Sequence, residues 1–156
     1  MEFTREIPTT ASPEGVWALL WDVERLARCI PGCQSARAVE PPVRYEATVA
    51  ERVGPFKVTF PLDIEVLEAQ APKRLRAKAT GRDASVGSSL QLQLDLAIEP
   101  GGDRTVLRLR AEVNVLGKLA ALGGGMIRRK ADEIMDRFAQ ALARELDGDR
   151  ADAPTV

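Results

Sequence analysis

The stretch L-Q-L-Q-L-D-L-A-I, residues 90–98, decides how this chain is built. Leu90, Leu92, Leu94, Leu96 and Ile98 fall on one side, and Gln91, Gln93, Asp95 and Glu99 on the other. That period of two belongs to a strand with one dry face and one wet face. A helical period would scatter the same leucines around the axis. P-G-G-D at 100–103 then makes a hairpin turn, and Leu107, Leu109, Ala111, Val113 and Val115 answer on the next strand. A one-sided antiparallel sheet needs something amphipathic to cover its apolar face.

Working outward, the same alternation recurs upstream. Val43, Tyr45, Ala47 and Val49 share a face, and after a turn at Gly54-Pro55 so do Val58, Phe60, Leu62, Ile64 and Val66. Pro61 marks a bulge or an unpaired edge position in that run. Leu75, Ala77 and Ala79 alternate with Arg76, Lys78 and Thr80, and runs at 2–8 and 34–40 bring the expectation to seven strands. In these registers Glu51 and Glu68 point inward near strand ends.

The cover comes from the end of the chain. Ile127, Ala131, Ile134, Phe138, Ala141 and Leu142 recur at helical spacing, with Arg128, Arg129, Asp132, Asp136 and Arg137 facing away. Ahead of them, G-G-G at 123–125 breaks or softens the helix, because each glycine costs about 1 kcal/mol there relative to alanine. Segment 117–122 is therefore either a plain loop or a lid on a soft joint. Near the start, Ser12 and Pro13 open a short helix carrying Val16, Trp17, Leu19 and Leu20, and Asp22 caps a second one. The chain divides into one domain over 1–146 and a polar, disordered tail over 147–156.

R-C-I-P-G-C-Q at 28–34 holds both cysteines of a 156-residue chain that has no histidine. Two thiols without further ligands make a poor metal site, and a cysteine nucleophile lacks its histidine base. Pro31-Gly32 fits the centre of a type II turn, so the stretch is read as turning the chain beside two small apolar thiols. At 45% hydrophobic, 29% charged and net charge −1, the composition gives no electrostatic reason to expect nucleic acid. Met1 to Pro8 reads as strand rather than signal peptide, and no apolar run approaches the ~20 residues of a membrane span. The expected compartment is the cytoplasm, and no metal or cofactor is expected.

These elements make an α+β domain. A curved seven-stranded antiparallel sheet wraps a long C-terminal helix, with two short helices after the first strand. Alanines at 47, 77, 79 and 111 on the inward faces have two readings. They let the helix sit close, or they line a ligand cavity.

The element order resembles the helix-grip fold of START-like and polyketide-cyclase-like proteins. Within it, four stretches carry a closer resemblance: L-A-R-C-I-P-G-C at 26–33, V-G-P-F-K at 53–57, G-R-D-A-S-V-G-S-S at 81–89 and G-K-L-A-A-L-G at 117–123. Together they make residues 1–146 resemble the family of the carbon monoxide dehydrogenase G subunit. The chain departs from that family's pattern at 81–89, which lacks the aromatic and the lysine of its loop, and at the end, where members often carry a longer apolar extension. The resemblance implies a non-catalytic accessory protein that helps a molybdenum hydroxylase, such as carbon monoxide dehydrogenase, reach the membrane. It also implies a cavity for a hydrophobic small molecule or lipid, for which an isoprenoid quinone is the attractive candidate.

Two alternatives stay open: a polyketide-cyclase- or dehydratase-like enzyme acting on a hydrophobic substrate in the same cavity, with Glu51 and Glu68 as its acid/base candidates, and an interaction protein with a filled core. For a binding cavity the expected wall is Ala79, Leu92, Leu94, Leu109, Ala111, Val113, Met126, Ile127, Ile134 and Phe138. Catalytic residues and metal ligands are not assigned.

Overall fold

In the computed structural model, which describes residues 1–151, each opening signal is used as its chemistry demands. Strand β1 (Glu2–Thr9) is followed by Ser12, whose Oγ accepts the Gly15 N–H at 3.1 Å, and Pro13 takes the first position of α1 (Pro13–Trp21). Asp22 caps α2 (Val23–Cys29) by accepting the Arg25 N–H at 3.3 Å. The I-P-G-C turn follows. Gly32 has φ 74°, and the Cys33 N–H donates to the Ile30 carbonyl at 3.2 Å. A Cβ on Gly32 would lie 2.2 Å from the Ala50 carbonyl oxygen, so this turn packs directly on the third strand.

Six strands then run in a continuous meander: β2 (Cys33–Glu40), β3 (Arg44–Val53), β4 (Phe56–Gln70), β5 (Arg74–Asp83), β6 (Ser88–Gly101) and β7 (Arg104–Gly117). With β1 they form one seven-stranded antiparallel sheet in the order β1-β7-β6-β5-β4-β3-β2. The register pairs inward residues as the alternation requires. Leu92 faces Ala79 and Val113, and Leu94 faces Ala77 and Ala111.

Of two local expectations, the unpaired position at Pro61 holds on one side of its strand and the inward Glu68 needs correction. Pro61 lies in an inner strand, and its pairing with Thr48 is regular. Ladder pairing with β5 ends at Leu62–Gly81, and the Thr59 N–H on that side goes to Asp83 Oδ2 at 2.8 Å, so no ladder bond is asked of the proline. Glu68 does not point inward. The register shifts between Val66 and Glu68, an irregularity that carries Glu68 to the wet face, opposite Arg76 and 3.7 Å from it.

After β7 comes a 3-10 segment, Lys118–Leu122, closed by Gly123 at φ 96°, and then α3 (Gly124–Ala151). Leu119 is buried and its N–H donates to Ser88 Oγ at 3.0 Å. That anchor favours the fixed loop over the lid. Helix α3 continues beyond residue 146, where a polar tail was expected: Asp147 Oδ1 accepts from Thr9 Oγ1 at 2.7 Å and from the Thr10 N–H at 3.0 Å. Residues 152–156 of that tail lie outside the described residues.

The core falls into two packed clusters. One gathers α1, β1, the far halves of β6 and β7, and Met135, Leu142 and Leu146 of α3. The other gathers Val53, Val58, Phe60, Leu62, Val86, Leu119 and Ile127 at the opposite end.

Candidate functional site

Between the two packed ends the sheet keeps an apolar inward face that is only half-buried. Tyr45 pairs with Ile64, Ile64 with Ala79, Val66 with Ala77, and Ala77 with Leu94, so these side chains form adjacent rows on one surface. Tyr45, Ile64, Val66, Ala77, Leu90, Leu92 and Leu94 are all of intermediate exposure. Ala131, Ile134, Phe138 and Ala141 supply a half-buried flank of α3, and Trp21 and Leu26 supply more from the short helices. Trp21 lies 5.7 Å from Trp17 in an edge arrangement and 6.4 Å from Tyr45. Partial burial raises the Tyr45 pKa, which keeps the phenol protonated at neutral pH.

The helix leaves this strip open because it is tied elsewhere. On β1, Arg5 reaches Asp132 at 2.5 Å and Asp136 at 2.9 Å, and Arg128 lies 5.2 Å over the Phe3 ring. On α2, Arg25 meets Glu145 at 2.9 Å and Arg28 meets it at 3.4 Å, and these bonds hold the Glu145 carboxyl below its ordinary pKa. Another polar link runs from β3. Glu51 gives one oxygen to Lys130 Nζ at 3.2 Å and the other to Arg137 Nη1 at 3.1 Å.

The expected wall residues divide accordingly. Leu92, Leu94, Ile134 and Phe138 lie on the half-open strip. Ala79 is 4% exposed at its margin. Leu109, Ala111, Val113 and Ile127 are closed into the packed clusters. Met126 is exposed at the far end, over Gly54. Sequence reasoning missed Tyr45, Trp21, Ile64, Val66, Lys130 and Arg137. Arg137, read as facing away, turns toward Glu51, and the signal was its spacing of seven from Lys130 beside Ile134 and Phe138.

Two clefts open on the outer face of the sheet. The larger, about 780 Å³, includes Thr4, Glu6, Asp95, Glu99, Arg108 and Arg110, and the smaller, about 290 Å³, includes Lys78, Thr80, Gln91, Gln93, Glu112 and Asn114. Apolar residues also line them, Leu96, Ile98 and Leu109 in the larger and Ala79 and Leu92 in the smaller, and Arg108 is paired with Glu6 and Glu99. Among the described residues no group of three or more His, Cys, Asp or Glu side chains could hold a metal, and no helix is long and apolar enough to cross a membrane. Burial raises the pKa of both thiols.

The family model for the carbon monoxide dehydrogenase G subunit (CoxG) matches residues 6–147. Similar solved structures include a conserved protein from Geobacillus kaustophilus, with TM-score 0.83 and 22% identity over 94% of this chain and 95% of that one. A START superfamily protein from Mycobacterium smegmatis gives TM-score 0.69 at 17% identity, covering 94% and 97%. The Zhui aromatase/cyclase from Streptomyces sp. R1128 gives 0.75 at 14%, covering 100% and 99%. No curated protein matches. At these identities the structural likenesses establish the START-like fold alone.

Proposed function

We propose that this chain, which belongs to the CoxG family (that of the carbon monoxide dehydrogenase G subunit), is a non-catalytic carrier whose sheet–helix groove holds a lipid-like molecule. The observation that carries the reading is the half-buried strip, to which four strands and one helix contribute apolar side chains at the edge of the packed core. In a domain whose two ends pack fully, such surface is costly to leave wet, and an aliphatic tail covering it gains about 0.8 kcal/mol per buried methylene. Ala79, Leu92, Leu94, Ile134 and Phe138 are its wall, together with Tyr45, Ile64, Val66 and Ala77. An isoprenoid quinone satisfies the apolar requirement. Delivery to, or recruitment of, a molybdenum hydroxylase at the inner face of the membrane is the role we infer from family membership.

The test is native mass spectrometry and solvent extraction of the protein purified from its own source. A stoichiometric prenylated or acylated molecule supports the reading, and its loss on Leu94→Gln with the fold retained assigns it to the groove. An empty protein that also fails to take up a quinone from vesicles would refute it.

A second reading, a cyclase-like enzyme in the same groove, draws on the polar groups Tyr45 and Glu51. Both Glu51 oxygens are already held by cations, which leaves a poor general base. Turnover of a hydrophobic polyketide that Tyr45→Phe abolishes without weakening binding would favour the enzyme.

A further inference from the structure

The groove has a polar boundary, and its construction says what kind of head group belongs there. Glu51 lies on the inward face of β3, in the row Ala47, Val49, Glu51, Val53, where every neighbour is apolar. Its side chain is 18% exposed, and that of Lys130 is 21%. Lys130 and Arg137 stand two turns apart on α3, with the half-buried Ile134 between them, so both cations border the apolar strip. Behind Glu51 the Pro31-Gly32 turn packs against β3: a Cβ on Gly32 would come within 3.4 Å of Glu51 Cγ. Strand, turn and helix therefore meet at this one carboxylate.

The charges around it are unequal. Lys130 also reaches Glu133 at 3.4 Å, but the Glu133 side chain is 56% exposed, and such a pair is worth little. The firm arrangement is two cations on one shielded carboxylate. Arg137 uses Nη1 on Glu51 and has other N–H groups to offer, and the ammonium of Lys130 carries three donors.

We infer that Glu51 occupies the seat of a ligand carboxylate, and that Lys130 and Arg137 bind the head of a single-chain amphiphilic acid whose tail lies along Leu92, Leu94 and Phe138. The proposal rests on the groove reading above and narrows it. A neutral quinone offers the same cations only carbonyl acceptors, whereas a carboxylate reproduces the two charge-assisted bonds that Glu51 now makes. Entry of the acid releases Glu51 toward solvent, and its partial exposure permits that exchange.

The experiment titrates dodecanoate and dodecan-1-ol, which share a tail and differ in the head, against the protein at pH 7.5. Trp21, beside Tyr45 on the strip, reports binding by fluorescence. The wild type is expected to prefer the acid about tenfold, the scale of one net charge-assisted hydrogen bond. Glu51→Gln removes the internal competitor and raises affinity for the acid. The triple variant Glu51→Gln, Lys130→Gln, Arg137→Gln leaves no shielded charge unpaired, because Glu133, which loses Lys130, is exposed, so it folds with the tail site intact. In it the preference disappears while dodecan-1-ol binds as before. Equal binding of acid and alcohol to the wild type, or a preference that survives in the triple variant, overturns the head-group assignment and leaves the groove standing. Binding of neither compound defeats the groove reading and this inference together.

Discussion

Replacing an inward alanine by leucine separates an open strip from a closed core, and the structure supplies one alanine of each kind. Ala111 is 0% exposed, paired with Phe3 and Leu94 inside the larger cluster. Three extra carbons there have nowhere to go, and overpacking of this sort costs about 1–3 kcal/mol. For a chain of this length that lowers the melting temperature by about 2–12 °C, at about 2–4 °C per kcal/mol. Ala77 sits two residues before Ala79, between Val66 and Leu94, on surface that is half-buried. The same three carbons at Ala77 are about half-buried and contribute roughly 1 kcal/mol, from about 0.8 kcal/mol per methylene fully buried. Ala77→Leu should therefore melt at or slightly above the wild-type temperature, while Ala111→Leu melts below it. Calorimetry checks the first half. Fluorescence titration with dodecan-1-ol checks the second: Ala77→Leu occupies space meant for the tail, and displacing two or three methylenes weakens binding tenfold or more. A drop in melting temperature for Ala77→Leu as large as that for Ala111→Leu would show the strip to be packed, and the groove would be lost with it.

Other expectations follow from single contacts. Gly32→Ala forces a Cβ to within 2.2 Å of the Ala50 carbonyl oxygen at φ 74°, so denaturant unfolding should show a loss above the roughly 1–2 kcal/mol of left-handed strain alone. Asp83 accepts from Ser85 and from the Thr59 and Val86 N–H groups, which hold its pKa below the ordinary carboxylate value. Its contribution is thus fully present above the unfolded pKa and lost as pH falls through the lower folded one. Urea midpoints of wild type and Asp83→Asn should differ at pH 6 and converge toward pH 2, and a constant gap would refute the assignment. Cys29→Ser with Cys33→Ser should keep the fold, at a cost on the order of 1 kcal/mol from the buried Cys29, and a stoichiometric metal lost in that variant would overturn the turn-only reading.

Much of the fold was legible because its determinants are local. Alternation fixed the strands, and Ser12-Pro13, Asp22 and Gly123 fixed the helix ends, each through a bond that the residue itself makes. The failures are tertiary. Glu68 could not be placed because the irregularity after Val66 leaves no mark in an otherwise alternating run. Arg137 looked like solvated charge because a helix has one period but two flanks, and only the position of β3 says which flank meets a carboxylate. Ala79 and Ala111 look alike in sequence to Ala77, yet two are closed and one is not. That difference depends on where α3 lies across the sheet.

The position of α3 follows from dimensions. Seven strands have six spacings of about 4.8 Å, so the sheet is about 29 Å wide before it curves. One helix with its side chains covers about 10–12 Å of that width. The polar ties choose which part: Arg5, Arg128 and Asp147 draw α3 onto β1, and Glu145 draws it onto α2. Strands β4 and β5 lie between these ties, and there Ile64, Val66 and Ala77 stay half-buried. The far flank has a single polar tie among those described, Glu51 to Lys130 and Arg137, and it comes from β3, beyond the strands it spans. A helix pulled to one edge and latched once at the other leaves Leu90, Leu92 and Leu94 of L-Q-L-Q-L-D-L-A-I half-buried, and the proposed carrier role rests on that strip.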